Sequence, residues 1–421
     1  MPHIMQEEFE IMAPVGSHEA LAAALQAGAH SIYFGVESLN MRAHSASKFN
    51  IDDLRDIADR CARHGVKAYL TVNTIIYDDD IPTMRSILDS AKAAGINAII
   101  AADIAVMTYC RTIGLEVHLS TQLNISNIEA LRFYAHFADV VVLARELNLA
   151  QVANIHRAIV REHICGPKGE PVRIEMFCHG ALCMAVSGKC YLSLDNTGRS
   201  ANRGECMQLC RRAYTVRDRE TGTELDIDRK YIMSPKDLKT IAFVDKMRAA
   251  GVSVFKIEGR ARSAEYVATV VGCYKEALQA VADGTFTAAR VAAWEARLAT
   301  VFNRGFWDGY YLGQRLGEWS ERYGSAATER KTYAGRGVKY FSRLGVAEFK
   351  LEAADVSEGD KLLVIGPTTG AVYLTAEDIR VEMQRVAKAR KGESVSLKVP
   401  VKVRPSDKLY RIIPAGEEGM R

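Results

Sequence analysis

No apolar run in this 421-residue chain reaches the roughly 18 residues that a membrane-spanning helix needs. The opening stretch, MPHIMQEEFE, lacks the basic and apolar regions of a secretory leader. The sequence therefore predicts no membrane contact and a cytoplasmic location. No H-E-x-x-H and no G-x-S-x-G pattern occurs, so zinc-protease and nucleophile-elbow hydrolysis have no motif behind them. Charge of one sign is barely in excess: 55 Lys and Arg against 51 Asp and Glu give +4, which says little about partners. What is present in ordinary measure, 48% hydrophobic and 25% charged residues, fits a soluble globular chain of one large domain or two.

Cysteine is concentrated in one place. Five of the nine (Cys178, Cys183, Cys190, Cys206 and Cys210) fall within Glu175–Cys210, a stretch that also holds four glycines and the arginines Arg199 and Arg203. Thiolates bind soft metals and iron–sulfur clusters, and a closed cluster site takes four of them. The spacing Cys183-x6-Cys190-x15-Cys206-x3-Cys210 supplies four, with glycines to fold the loop tightly. These four are the expected metal ligands, with Cys178 as the substitute for the fourth. Zinc is the competing occupant, although its structural sites favour short C-x2-4-C pairs and only Cys206-x3-Cys210 has that form. Cys61, Cys110 and Cys273 lie in helix-like stretches and read as small buried hydrophobes. A disulfide framework has the least support, because nothing points to secretion.

The run Glu175-x-Phe177-x2-Gly180-Ala181-Leu182-Cys183-x4-Gly188-x-Cys190-x-Leu192-Ser193 fixes ten positions over nineteen residues. It resembles, in full, the signature of the U32 peptidase-like (collagenase-like) family. The likeness continues through APVGS, YFGVE, HLSTQLN and FKIEGR, over nearly the whole chain. It implies a TIM-type barrel. Its family name implies a protease, whereas several members look like oxygen-independent hydroxylases carrying a 4Fe–4S cluster. Those act on tRNA wobble uridine, on ribosomal RNA or on a ubiquinone precursor. The tRNA wobble-uridine 5-hydroxylation branch is the nearest by resemblance. That branch implies tRNA as partner, prephenate as hydroxyl source and dependence on iron–sulfur assembly machinery.

Short apolar runs alternate with helical patterns from residue 9 to about 282, as a parallel α/β sheet requires. Eight strands are predicted: Phe9–Pro14, Ser31–Gly35, Lys67–Val72, Asn97–Ala101, Leu115–Leu119, Asp139–Leu143, Val172–Phe177 and Val254–Glu258. Eight such units predict a (β/α)8 barrel with the cysteine-rich loop after strand seven; an open doubly wound sheet is the alternative. In a barrel, function belongs at the C-terminal strand ends. Those ends supply His179, Glu258 and Arg260 as candidate catalytic residues, and Asn73, Gln122, Asn124 and Arg145 as candidate substrate-binding residues. Arg145 or Arg260 would hold the carboxylates of the implied prephenate. Each has a plainer reading: an ion pair for Glu258 and Arg260, a tight turn at His179-Gly180, loop caps for the amides. Ser17 reads as the N-cap of a helix over His18–Ala27.

The expected domains are an α/β barrel over 1–283 with the cysteine-rich insertion 178–250, a helical bridge over 284–330, and a small all-β barrel over 331–421. The last resembles domain 2 of elongation factors. Ubiquinone-pathway relatives are expected to draw one thiolate from the region of Tyr231–Leu238; YIMSPKDL offers Ser234 instead, which favours Cys210 and the RNA branch. The aromatic run Phe306–Tyr311 reads as interdomain packing, with base stacking as the alternative. Between Arg380 and Arg411 ten basic residues face three acids, an excess suited to a phosphate backbone. Three functions compete on these readings: an iron–sulfur RNA hydroxylase acting on tRNA or ribosomal RNA, a peptidase acting on protein, and a zinc-stabilised RNA-binding protein. The peptidase has the awkward feature that Cys178 and His179, as strand neighbours, point to opposite faces.

Overall fold

The computed structural model describes residues 9–41, 49–225, 233–321 and 324–416. Strands β1 (Glu10–Pro14), β2 (Ser31–Phe34), β3 (Lys67–Val72), β4 (Ala98–Ala101), β5 (Glu116–Leu119), β6 (Val140–Val142) and β7 (Arg173–Ala181) are parallel neighbours in chain order. After a short hairpin, β8 (Val216–Arg217) with β9 (Glu224–Leu225), and a three-residue strand, β10 (Asp237–Lys239), comes β11 (Val252–Ile257). It pairs in parallel with both β1 and β7 and closes the ring. The chain holds a TIM-type barrel, and all eight predicted strands are present with bounds within two residues, except that β7 runs four residues past its predicted end at Phe177.

Helices alternate with the strands: α1 (His18–Gln26), α2 (Asp53–Arg63), α3 (Ile81–Ala94), α4 (Ile104–Ile113), α5 (Ile128–Tyr134) and α6 (Leu149–Glu162). Short helices α7 (Leu192–Thr197) and α8 (Val244–Ala249) precede the long α9 (Ala264–Ala282). Ser17 does cap α1, its Oγ accepting from the Ala20 amide at 3.2 Å. The helices bury one apolar stripe each against the strands, as Leu54, Ile57, Ala58 and Cys61 do from α2. Cys61, Cys110 and Cys273 are buried in that layer, and burial pushes each thiol up to about 12.

Strand β7 matters most for the site. It is nine residues long, and its last part leaves the ring to pair antiparallel with β10. Gly180 makes this possible: its φ is +104°, and a Cβ there would lie 2.3 Å from the Glu258 carbonyl oxygen. The overhanging strand carries the cysteine-rich segment out over the barrel mouth. Strand β12 (Phe306–Trp307), which follows α10 (Ala288–Ala299), adds to the outer edge of β10. The aromatic run is therefore packed: Trp307 and Tyr311 are buried in the main core, and the Tyr311 hydroxyl donates to the Phe177 carbonyl at 2.9 Å. Base stacking on those two rings is ruled out by burial.

The C-terminal part is antiparallel: β13 (Glu329–Phe341), β14 (Val346–Leu351), β15 (Val356–Ser357), β16 (Lys361–Gly366), β17 (Gly370–Thr375), β18 (Arg380–Val381), β19 (Gln384–Arg385), β20 (Lys388–Ala389), β21 (Ser394–Lys398) and β22 (Lys408–Pro414). Eight of these form one sheet in the order β17-β16-β22-β13-β14-β21-β18-β19, and β15 pairs with β20. The strands enclose a core of their own that includes Phe349, Leu362, Val364, Val395 and Leu397. A separate contact of Ala23 and Ala264 with Leu363 and Ile365 joins this unit to α1 and α9. The Gln26 side chain seals it by donating to the Thr369 carbonyl at 2.9 Å.

Candidate functional site

The C-terminal strand ends open into a cavity of about 250 Å³. Its floor is made by inward-facing residues of the barrel: Tyr33 from β2, Thr71 from β3, Ile100 from β4, Phe177 from β7 and Lys256 from β11. Its roof is the cysteine-rich segment. Cys183, Cys190, Cys206 and Cys210 all line this one space, although they are separated by up to 27 positions in sequence. Burial pushes the Cys210 thiol up; Arg211 opposes this, and the neighbouring Cys183, Cys206 and Cys190 add to it. Among the described residues, no three His, Cys, Asp or Glu side chains converge as a single metal ion requires. Four cysteines lining one cavity are a donor set of the type that holds soft metal ions or iron–sulfur clusters.

The roof is tied down at several points. Arg203 donates to both oxygens of Asp80 at 2.5 and 3.0 Å and to the Ile75 carbonyl at 2.6 Å, joining the segment to the loop after β3. Arg211 donates to the carbonyls of Leu182 (2.5 Å) and Pro235 (2.6 Å) and to Ser234 Oγ (3.0 Å), tying both ends of the segment to the strand region of β10. Ser234 thus serves as an acceptor for Arg211. Tyr231, also in the YIMSPKDL stretch, lies outside the described residues.

Most of the predicted polar residues meet here. Asn73, Gln122, Arg145, Glu258 and Arg260 line the cavity. Asn73 Nδ2 donates to Ser120 Oγ at 3.0 Å and to Gln122 Oε1 at 3.3 Å, so the two amides are held in one chain of hydrogen bonds. Arg260 donates to Thr71 Oγ1 at 2.8 Å and to Asn40 Oδ1 at 3.4 Å. Arg145 stacks on Phe177, 4.0 Å from the ring centre, and donates to the Ala181 carbonyl at 3.3 Å. The Tyr33 hydroxyl donates to the Ile257 carbonyl at 2.9 Å and to Glu258 Oε2 at 3.2 Å.

Three of the predicted residues lie apart from the cavity lining. His179 does not line the cavity. It is 1% exposed, caged by Tyr266, Tyr274 and Phe306, with Nδ1 3.4 Å from the Tyr274 hydroxyl. Burial, helped by Lys239 and Arg262, lowers its pKa to about 3 and keeps it neutral. It has no access to a substrate in the mouth. Asn124 also stays outside; its Nδ2 donates to the carbonyls of Gln122 (2.8 Å) and Ser187 (2.9 Å), bracing the roof against the loop after β5. Cys178 is fully buried, with Sγ 3.4 Å from the Lys256 carbonyl, and burial pushes its thiol well up. It is available neither as a fourth ligand nor as a nucleophile.

Sequence reasoning passed over Lys256, Arg211, Arg262 and Arg304, which make the cavity strongly cationic. Lys256 could have been found, because it lies two residues before Glu258 and so on the same strand face. Arg262 and Arg304 come together only through the fold. They share the buried carboxylate of Asp237, at 3.9 and 3.3 Å, and Arg262 also stacks on Phe302. Among the described residues, Glu258 is the single carboxylate in the cavity lining, against six Lys and Arg. Six cationic side chains and four cysteines thus line the same cavity.

The basic excess of the C-terminal part is smaller than its sequence suggests. Arg380 pairs with Asp378 (3.1 Å), Lys388 with Asp355 (2.9 Å), Arg411 with Asp360 (2.9 Å), and Arg385 with Glu358. The acids all precede the counted window. Arg390, Lys391, Lys398, Lys402 and Lys408 stay exposed.

Residues 16–321 match the profile of Peptidase family U32. The chain is 65% identical to a protein named collagenase from Porphyromonas gingivalis, over 96% of this chain and 98% of that one. It is 33% identical to tRNA hydroxylation protein P1 of Bacillus subtilis, over 66% of this chain and 64% of that one. It is 32% identical to the 23S rRNA 5-hydroxycytidine synthase of Escherichia coli, over 75% of this chain and 47% of that one.

Proposed function

This chain belongs to peptidase family U32 and is an enzyme, and from that premise we propose that it is an iron–sulfur-dependent RNA hydroxylase acting on C5 of the tRNA wobble uridine. The observation that carries the reading is the meeting of Cys183, Cys190, Cys206 and Cys210 with a cationic, anion-receiving cavity at the barrel mouth. The four thiolates would hold a 4Fe–4S cluster. Such a group supplies one-electron chemistry when bound. Arg145 and Arg260 would bind the carboxylates of prephenate, the hydroxyl source implied by resemblance. Asn73 and Gln122 offer an amide pair for the edge of a base turned out of its stack. The two relatives with RNA-hydroxylation names support an RNA substrate, and ribosomal RNA is the variant of the reading that the second name supports.

The peptidase reading is favoured by the name of the 65% identical relative. The cavity supports it less. Among the described residues no histidine lines it, and the two residues that would form a Cys–His pair, Cys178 and His179, are both buried away from it. Cleavage needs an activated nucleophile or a metal-bound water.

Nucleoside mass spectrometry of tRNA and ribosomal RNA from a deletion strain tests the proposal. Loss of a 5-hydroxylated uridine or its derivative, restored by the wild-type gene and not by Cys206→Ala, is the expected result. Unchanged nucleosides in both RNAs, with gelatin cleavage by the purified protein, would replace it with the peptidase.

A further inference from the structure

Glu175 and Lys256 form an ion pair of 2.6 Å inside the barrel wall, their side chains 0% and 6% exposed. The proposed RNA chemistry gives neither a role. Stability is a poor reason for the pair, because desolvating two charges commonly costs as much as their attraction returns. Such buried, charged pairs gather at working sites.

Three observations give the lysine a direction. Lys256 lines the cavity and Glu175 does not, so the amine is the half of the pair that a ligand meets. Glu175 Oε2 is buried without a hydrogen-bond partner, which leaves a proton acceptor beside the amine. Lys256 Nζ also lies 4.7 Å from the Tyr33 ring centre and 5.5 Å from that of Phe177. The same rings carry Arg260 at 5.6 Å and Arg145 at 4.0 Å. A nucleophile class and two carboxylate-binding groups therefore share one small space.

We propose that Lys256 forms a Schiff base with a small 2-oxo acid bound in this cavity. Arg145 and Arg260 take the carboxylate, which leaves the neighbouring ketone to the amine. The Lys256 ammonium first gives a proton to Glu175. The freed nitrogen pair attacks the carbonyl carbon, a C–N bond forms, and the C=O π pair moves to oxygen, which takes a proton from the nitrogen. Glu175 returns its proton to that nitrogen, which passes it to the same oxygen; the C–O bond breaks, and water leaves. The product is a protonated imine beside a regenerated Glu175 carboxylate, with no change of oxidation state. Lysine amines in desolvated pockets carry this chemistry.

The test uses the full-length protein, pyruvate as probe and cyanoborohydride as trap, read by intact and peptide mass spectrometry. One reduced adduct on Lys256 is expected, absent with lactate, which lacks the ketone, and reduced in Lys256→Arg to the level seen without reductant. No adduct, or one spread over exposed lysines and retained in Lys256→Arg, overturns the proposal. Should the variant fail to fold, the peptide map of the wild-type adduct decides alone, and any site other than Lys256 counts against it. The readout needs neither RNA nor metal, so it stands or falls separately from the hydroxylase reading.

Discussion

Arg203 grips Asp80 through both terminal guanidinium nitrogens, at 2.5 and 3.0 Å, and stacks on Tyr77 at 4.4 Å from its ring centre. This one side chain ties the cysteine-bearing roof to the loop after β3. The Arg203 hydrogen bonds hold the Asp80 carboxyl below its usual range. Because the folded-state pKa is depressed, the tie is fully present above the ordinary carboxylate pKa and is lost as pH falls through the lower folded value. Arg203→Ala should raise hydrogen exchange across residues 183–210 at pH 7 and leave the strand β4 amides unchanged. Equal protection in both proteins would show that the other ties suffice.

Cys183→Ala, Cys190→Ala, Cys206→Ala and Cys210→Ala should each lose bound iron and visible absorption after anaerobic purification. Cys178→Ala should keep both, because its thiol is fully buried and faces away from the cavity. Iron loss in Cys178→Ala with retention in Cys210→Ala would reverse the assignment of the fourth ligand. Zinc without iron in the wild type would favour the binding-protein reading.

His179 should shape acid stability. Its pKa is lowered to about 3, first by burial and then by Lys239 and Arg262. Below its unfolded pKa, about 6.5, the unfolded chain takes up a proton that the folded chain refuses, so stability falls with pH at up to about 1.4 kcal/mol per unit until the folded pKa is reached. Urea unfolding of His179→Phe at pH 7 and pH 5 should show a smaller difference than the wild type. Parallel pH dependence in the two proteins would mean that other groups set the acid limb.

Removing one half of the Glu175–Lys256 pair should be costly. Lys256→Met leaves an uncompensated buried carboxylate and should destabilise by about 3–5 kcal/mol. A double variant, Lys256→Met with Glu175→Leu, should recover much of that loss in thermal unfolding. A double variant no more stable than the single one would place the cost in packing.

On the RNA reading, contact by the C-terminal part would fall to the five exposed basic residues Arg390, Lys391, Lys398, Lys402 and Lys408. Lys398→Glu with Lys402→Glu should weaken tRNA binding and lower the salt slope by about one per lost phosphate contact. Arg385→Glu, at a side chain already paired with Glu358 and Asp378, should change the slope less. Identical slopes in all three proteins would remove this face from the interaction.

The strands were legible because each is a short apolar run bounded by turn residues, and period and burial act locally. Val140–Val142 and Ala98–Ala101 could be read without knowing any neighbour. His179 was misread for the same reason. Its strand end is polar in sequence, but β7 runs on past the ring, and β10 and β12 cover the imidazole. The net charge of the run 380–411 is smaller than its own residues suggest because Asp355, Glu358, Asp360 and Asp378 reach it from connections earlier in the chain.

The sequence by itself determined the barrel, the antiparallel C-terminal unit, the cluster of four thiols and the amide and arginine positions on the rim. Those depend on spacing, period and side-chain type within one stretch. Tertiary structure alone decided which of these groups share a solvent-facing space. It withdrew His179, Asn124 and Cys178, and it brought Lys256, Arg211, Arg262 and Arg304 to the thiols. Exposure and charge pairing are properties of contacts between distant segments, and only closure of the ring brings those segments together.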